Sequence, residues 1–127
     1  MKFVFDTFAW IEYFNGSESG RKVNGIIESG ENDIFSSIIT VAEVSSILKR
    51  KEKDTELGYK NMINLSRIFF LNTELAKEAG ILHADIRKKI KDFGLADAFV
   101  LLTARKLGAK IVTGDPHFKG FKEAILI

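Results

Sequence analysis

The sequence contains no cysteine, which excludes disulfide frameworks, thiolate nucleophiles and cysteine-held zinc or iron-sulfur sites together. Any metal has to be held by oxygen or imidazole. An excess of one charge is also missing: 19 Lys and Arg against 17 Asp and Glu leave a net charge of +2, too little for a general electrostatic argument for a polyanionic partner. Long apolar runs are absent as well. No segment approaches the ~20 residues of a membrane-spanning helix, and Phe3-Val4-Phe5 ahead of Asp6 is too short an apolar run for a signal peptide. The expectation is a cytoplasmic protein with no membrane partner. Neither an internal repeat nor a linker is visible.

What is present is a globular balance. The 127 residues are 46% hydrophobic and 28% charged, so a single domain spanning residues 1–127 is expected to bury one hydrophobic core without covalent staples.

Along the chain, Lys2-Phe3-Val4-Phe5 reads as a strand ending at Asp6-Thr7. Phe8, Ile11, Glu12 and Phe14 then mark a short helix stopped by Asn15-Gly16. Ser19 is the expected cap of a second helix running to Ser29-Gly30, and Asp33-Ile34-Phe35-Ser36 is a second strand. A third helix is expected from Thr40 through Val41, Val44, Ile47 and Leu48 to the basic end Lys49-Arg50-Lys51, and another from Leu57 to Leu65. Arg67 to Leu71 reads as strand three and Thr73 to Ile90 as a helix that Gly80 weakens. Leu95 to Leu107 is apolar on nearly every side, as in a buried helix, and Gly108 ends it. Lys110 to Thr113 is strand four and Ala124-Ile125-Leu126 a fifth. Apolar strands separated by helices predict a mainly parallel sheet covered on both faces, a three-layer α/β/α sandwich.

Four carboxylates should meet in such a fold. Ligands of open parallel sheets bind beyond the carboxyl ends of the strands, and Asp6 and Asp115 each follow a strand. Glu43, read in the first turn of the helix after strand two, and Asp97, opening the helix that feeds strand four, belong to the same edge. Each acid alone has an ordinary reading: Asp6 as a helix cap, Glu43 as complement to a helix dipole, Asp115 as a turn residue in Gly114-Asp115-Pro116. Asp97 is the most informative, because Leu95, Ala96, Ala98, Phe99 and Val100 surround it without a local cation, which favours a functional reading. Gathered together, four carboxylates repel one another unless a cation neutralises them. All-oxygen ligation suits magnesium or manganese and phosphodiester hydrolysis. His83 and His117 are left outside this set, since a lone helical or turn histidine is ordinarily structural or exposed. The basic runs at 49–53 and 87–91 read first as solvated helix ends and second as phosphate contacts.

Phe3-Val4-Phe5-Asp6-Thr7, Thr40-Val41-Ala42-Glu43-Val44, Leu95-Ala96-Asp97-Ala98 and Ile111-Val112-Thr113-Gly114-Asp115 together resemble the four motif regions of PIN-domain proteins. The resemblance covers essentially the whole chain, and its specificity lies in the order and spacing of the acids. It implies a sheet of about five strands in an α/β/α sandwich and divalent-metal-dependent endoribonuclease activity on RNA, with Mg2+ or Mn2+ as cofactor. Small stand-alone members, the VapC-like toxins, act opposite an antitoxin protein and commonly form homodimers. Carried onto this chain, Asp6, Glu43, Asp97 and Asp115 fall on the family's catalytic and metal-binding acidic positions, Thr7 and Thr113 on its hydroxyl-bearing ones, and Phe118 on a frequent aromatic. The chain departs from many relatives at Gly114 and Pro116, where a basic or polar residue often flanks the last acid.

A receiver-like phosphorylation switch needs an acceptor Asp after strand three, where this chain has Phe70-Leu71-Asn72-Thr73. A haloacid-dehalogenase-like phosphatase needs a second Asp two residues after the first, where Phe8 stands. The alternative that survives is a catalytically idle PIN-like module that binds RNA or protein. For an antitoxin, Trp10, Phe14 and the helix over 57–65 are the candidate docking surface.

Overall fold

The computed structural model describes residues 1–127. Its strands are β1 (Lys2–Phe5), β2 (Asp33–Ser37), β3 (Arg67–Phe69), β4 (Lys110–Thr113) and β5 (Ala124–Leu126). The helices are α1 (Thr7–Asn15), α2 (Glu18–Glu28), α3 (Ile38–Arg50), α4 (Thr55–Leu65), α5 (Thr73–Arg87) and α6 (Leu95–Leu107), with a 3-10 turn at Pro116–Phe118. The five strands form one sheet in the order β3-β2-β1-β4-β5, and every pairing is parallel.

Alternation along the strands divides the interior into two layers, because successive side chains leave opposite faces of a sheet. Phe3, Phe5 and Val112 face one side and pack with Trp10, Val23, Val44, Leu48 and Met62 from α1 to α4. Val4 and Ile111 face the other and pack with Ala98, Leu101, Phe93 and Phe118. The result is the expected three-layer α/β/α sandwich.

Local chemistry accounts for most element ends. Gly16 and Gly108 stop α1 and α6 in the left-handed conformation, at φ 64° in both cases, where a Cβ would be strained. Helix α5 runs unbroken through Gly80 but ends at Arg87 rather than at Ile90. Strand β3 also stops early, at Phe69, because it is an edge strand pairing only with Phe35 to Ser37. Phe70 beyond it is 71% exposed.

Three expectations need correction. Ser17, not Ser19, caps α2, accepting from the Gly20 N–H at 3.0 Å. Helix α3 begins two residues before Thr40: the Ser37 hydroxyl accepts from the Ile39 N–H at 3.3 Å and turns the chain straight out of β2. Glu43 therefore sits in the second turn of α3, not the first. Trp10 is fully buried and belongs to the core rather than to a docking surface. Its indole N–H donates to Ser36 Oγ at 2.9 Å, and Ser36 is bonded in turn to Ser66 Oγ at 2.9 Å. This satisfied polar chain ties α1 to β2 and to the end of α4.

Candidate functional site

The chain lays down β1, then moves outward through β2 to β3, then returns to place β4 on the other side of β1. Connections therefore diverge between β1 and β4, which opens a crevice at the carboxyl ends of those strands. A cleft of about 280 Å³ lies there, lined by Asp6, Thr7, Phe8, Glu43, Asp97, Val100, Gly114, Asp115 and Pro116. The four acids singled out in the sequence thus share one cavity.

Each is held by its own element. The register that sets Phe5 against Val112 places Asp6 beside Thr113, whose hydroxyl donates to Asp6 Oδ2. Asp6 Oδ1 accepts from the Ala9 N–H at 2.9 Å, so Asp6 is both the cap of α1 and a wall of the cleft. Thr113 Oγ1 also accepts from the Asp115 N–H at 2.9 Å, coupling the first acid to the last. The Thr7 hydroxyl donates to Glu43 Oε1 at 2.6 Å. Asp97 Oδ2 accepts from the Gly94 N–H at 3.1 Å, and Asp115 Oδ1 from the His117 N–H at 2.9 Å. Both Thr7 and Thr113 therefore orient acids. The ordinary readings of Asp6 as a helix cap and of Asp115 as a turn residue hold as well, because each of these roles occupies a single carboxylate oxygen.

Burial grades the four acids. Asp6 is 4% exposed, Asp97 and Asp115 are half-buried, and Glu43 is exposed. Loss of hydration pushes the Asp6 carboxyl up to about 7, against the lowering effect of Thr113 and Ala9, with Asp97 and Asp115 adding repulsion. Burial likewise raises Asp97. The Gly94 N–H lowers it, and the charges of Asp115 and Glu43 raise it further. No Lys or Arg lines the cleft, and among neighbouring side chains only His117 offsets part of the repulsion on Asp97.

The donor set fits a hard divalent cation. Glu43, Asp97 and Asp115 each have one oxygen fixed by a hydrogen bond, while Glu43 Oε2, Asp97 Oδ1 and Asp115 Oδ2 carry none. Oxygens oriented in this way and otherwise unoccupied are what magnesium or manganese requires.

Sequence reasoning leaves out His117, yet a donor atom from each of Asp97, Asp115 and His117 lies within 4.8 Å of the others. The partial signal was the spacing: an aspartate in a tight turn accepts from the backbone N–H two residues later, which keeps residue 117 next to the Asp115 carboxylate. His83 stays outside, with Nε2 3.0 Å from the Phe93 carbonyl oxygen.

A parallel α/β sandwich with an acidic crevice at its switch point is the class of protein that these features define. The chain belongs to the PIN domain family, whose model matches residues 3–124. Solved structures share the fold. One is a toxin-antitoxin complex from Klebsiella pneumoniae, at 22% identity and TM-score 0.74, with 96% of this chain and 94% of that one covered. A second is VapC20 of Mycobacterium tuberculosis, described as a sarcin-ricin-loop-cleaving toxin, at 18% identity and TM-score 0.74 over 95% and 97% of the two chains. A third is VapBC2 of Rickettsia felis bound to a promoter DNA fragment, at 21% identity and TM-score 0.68 over 100% and 98%. No curated protein sequence matches the chain.

Proposed function

We propose that the chain is a divalent-metal-dependent endoribonuclease and the toxin half of a toxin-antitoxin pair. The observation that carries this reading is the single cleft shared by Asp6, Glu43, Asp97 and Asp115, with three of the four acids each holding one oxygen ready for a ligand. A bound divalent cation would supply Lewis acidity toward a phosphodiester and offset the crowded negative charge.

The residues divide the remaining work. Asp97 and Asp115 would hold the cation through their free oxygens, with the Gly94 N–H fixing Asp97, and Asp6, held by Thr113 and the Ala9 N–H, would complete the set through a remaining lone pair. Glu43 is the solvent-facing member and its Oε1 is pinned by Thr7, so its free Oε2 would orient an attacking water and accept its proton as the new phosphorus–oxygen bond forms, while the old one breaks and its leaving oxygen takes a proton from solvent. Half-burial of Asp97 and Asp115 limits competing water at the cation.

An antitoxin partner belongs to the same reading, supported by the toxin-antitoxin complexes that share the fold. The surface offered to it, or to a second copy of the chain, is an apolar groove of about 360 Å³ lined by Ile38, Val41, Tyr59, Ile63, Ile68 and Phe70. Tyr59, Ile63 and Phe70 are exposed, as an unpaired docking face requires.

The test is cleavage of a cellular RNA pool by the purified chain with magnesium, with manganese and with chelator, beside Asp97→Asn. Metal-dependent cutting that falls by at least ~100-fold in the variant is expected. Equal cutting by both proteins would identify a contaminant. Tight RNA binding with no cutting under any metal would replace this reading with the idle binding module.

A further inference from the structure

The imidazole of His117 stands just behind the cleft lining, beside Asp115, with its Nδ1 closed off from water and without a hydrogen-bond partner. The same atom lies 3.1 Å from Asp115 Oδ1, within ion-pair distance but not placed for a hydrogen bond, and that oxygen accepts from the His117 backbone N–H at 2.9 Å. The remainder of the ring is not sealed in: the side chain is 35% exposed. With the proton on Nε2, the Nδ1 lone pair faces the carboxylate, and two such electron-pair donors are suited to sharing one cation. The other half-buried acid is within reach, because donor atoms of Asp97, Asp115 and His117 all lie within 4.8 Å of one another. Two donors on opposite sides of a small octahedral divalent ion stand about 4.2 Å apart, so small side-chain shifts close the three onto one ion.

We infer that His117 is a ligand of the cation, making the cleft a mixed carboxylate–imidazole site that prefers manganese to magnesium. The inference rests on the reading of the cleft as a divalent-cation site and goes beyond it by adding a nitrogen donor and a preference. Magnesium holds oxygen ligands and water and gains little from imidazole, whereas transition-series ions accept it. The turn supports the role mechanically. Asp115 caps the 3-10 turn at Pro116–Phe118, and the fully buried Phe118 packs edge-on against Phe93 with centroids 5.6 Å apart. The ring of His117 is thereby carried on an anchored turn rather than on a loose loop.

The experiment is pulsed electron paramagnetic resonance of the full chain loaded with Mn2+, with Mn2+ and Mg2+ affinities measured in parallel on the unaltered chain and on His117→Ala. Imidazole nitrogen coupling to the bound Mn2+ is expected in the unaltered chain and absent in the variant. The only other histidine, His83, is engaged with the Phe93 carbonyl oxygen and serves as the internal control. Mn2+ affinity is expected to fall about tenfold or more in the variant while Mg2+ affinity changes by less than about threefold. Bound Mn2+ without nitrogen coupling in the unaltered chain would overturn the inference and leave the carboxylate site standing. Coupling that persists in His117→Ala would also overturn it. Failure of the unaltered chain to bind Mn2+ at all would remove the cation site and this inference together.

Discussion

With a pKa of about 7, Asp6 is half ionised near neutral pH, and this has consequences for stability as well as for chemistry. In an unfolded chain the same carboxyl titrates near its ordinary 3.8, so between these two values the folded state binds a proton that the unfolded state has lost. Asp6 therefore contributes most stability below about pH 4, and that contribution is lost as the pH rises through about 7, a swing of roughly 4 kcal/mol for the fully buried limit. Without metal, Asp6→Asn is expected to raise the denaturation midpoint at pH 8 and to flatten the decline in stability between pH 5 and pH 8. Added divalent cation should stabilise the unaltered chain more than the variant, because it replaces the proton on Asp6. Metal-dependent cleavage should rise across pH 6 to 8 for the same reason. A stability–pH curve for Asp6→Asn that coincides with that of the unaltered chain would mean that Asp6 carries no such strain.

Elements are joined by close backbone approaches that the sequence only partly advertises. A Cβ on Gly20 would lie 2.0 Å from the Glu12 carbonyl oxygen, so α2 can rest against α1 only with glycine there. Gly20→Ala is expected to cost about 2 kcal/mol or more in denaturant unfolding, at the upper end of overpacking effects. Gly80 is the contrast, with nothing within 4 Å of an added Cβ. Gly80→Ala should therefore stabilise α5 by about 0.5–1 kcal/mol, through helix propensity alone. The pair also shows what pattern reading can reach. Periodicity and punctuation locate all five strands and six helices, and the motif order locates four acids, because each of these depends on neighbours a few residues away. The cap at Ser17 rather than Ser19 is different: both serines are competent, and the packing of α2 on α1 through Gly20 selects between them. Likewise Ser37, Ile38 and Ile39 fall between the expected strand and the helix expected from Thr40, whereas the cap at Ser37 starts α3 early and moves Glu43 from its first turn into its second. The burial of Trp10 and the placement of His117 beside Asp115 are tertiary facts in the same sense.

At the scale of the whole molecule, a net charge of +2 conceals a polar layout. Helix α3 leaves the carboxyl end of β2 and runs for 13 residues, about 20 Å, which carries Lys49, Arg50, Lys51 and Lys53 to the edge of the sheet opposite the cleft. The second basic run lies differently. Arg87 at the end of α5 and Lys88, Lys89 and Lys91 in the link to α6 are exposed, and the bond from His83 to the Phe93 carbonyl oxygen ties that link to the start of α6, where Asp97 stands. These basic residues lie on the α6 side of the molecule, and on the proposed ribonuclease reading an RNA strand passing the acids would lay its phosphates there. In an Asp97→Asn background that binds without cutting, changing Lys88, Lys89 and Lys91 together to Gln should lower the slope of log affinity against log salt by about 2, near 0.7 for each single-strand phosphate that is no longer neutralised. Changing Lys49, Lys51 and Lys53 to Gln should leave the slope within experimental scatter, and fluorescence anisotropy with a short labelled RNA reads both. An equal fall in slope for the two triple variants would mean that RNA spreads over the whole surface, and that the α5–α6 link has no special part in guiding the strand into the cleft.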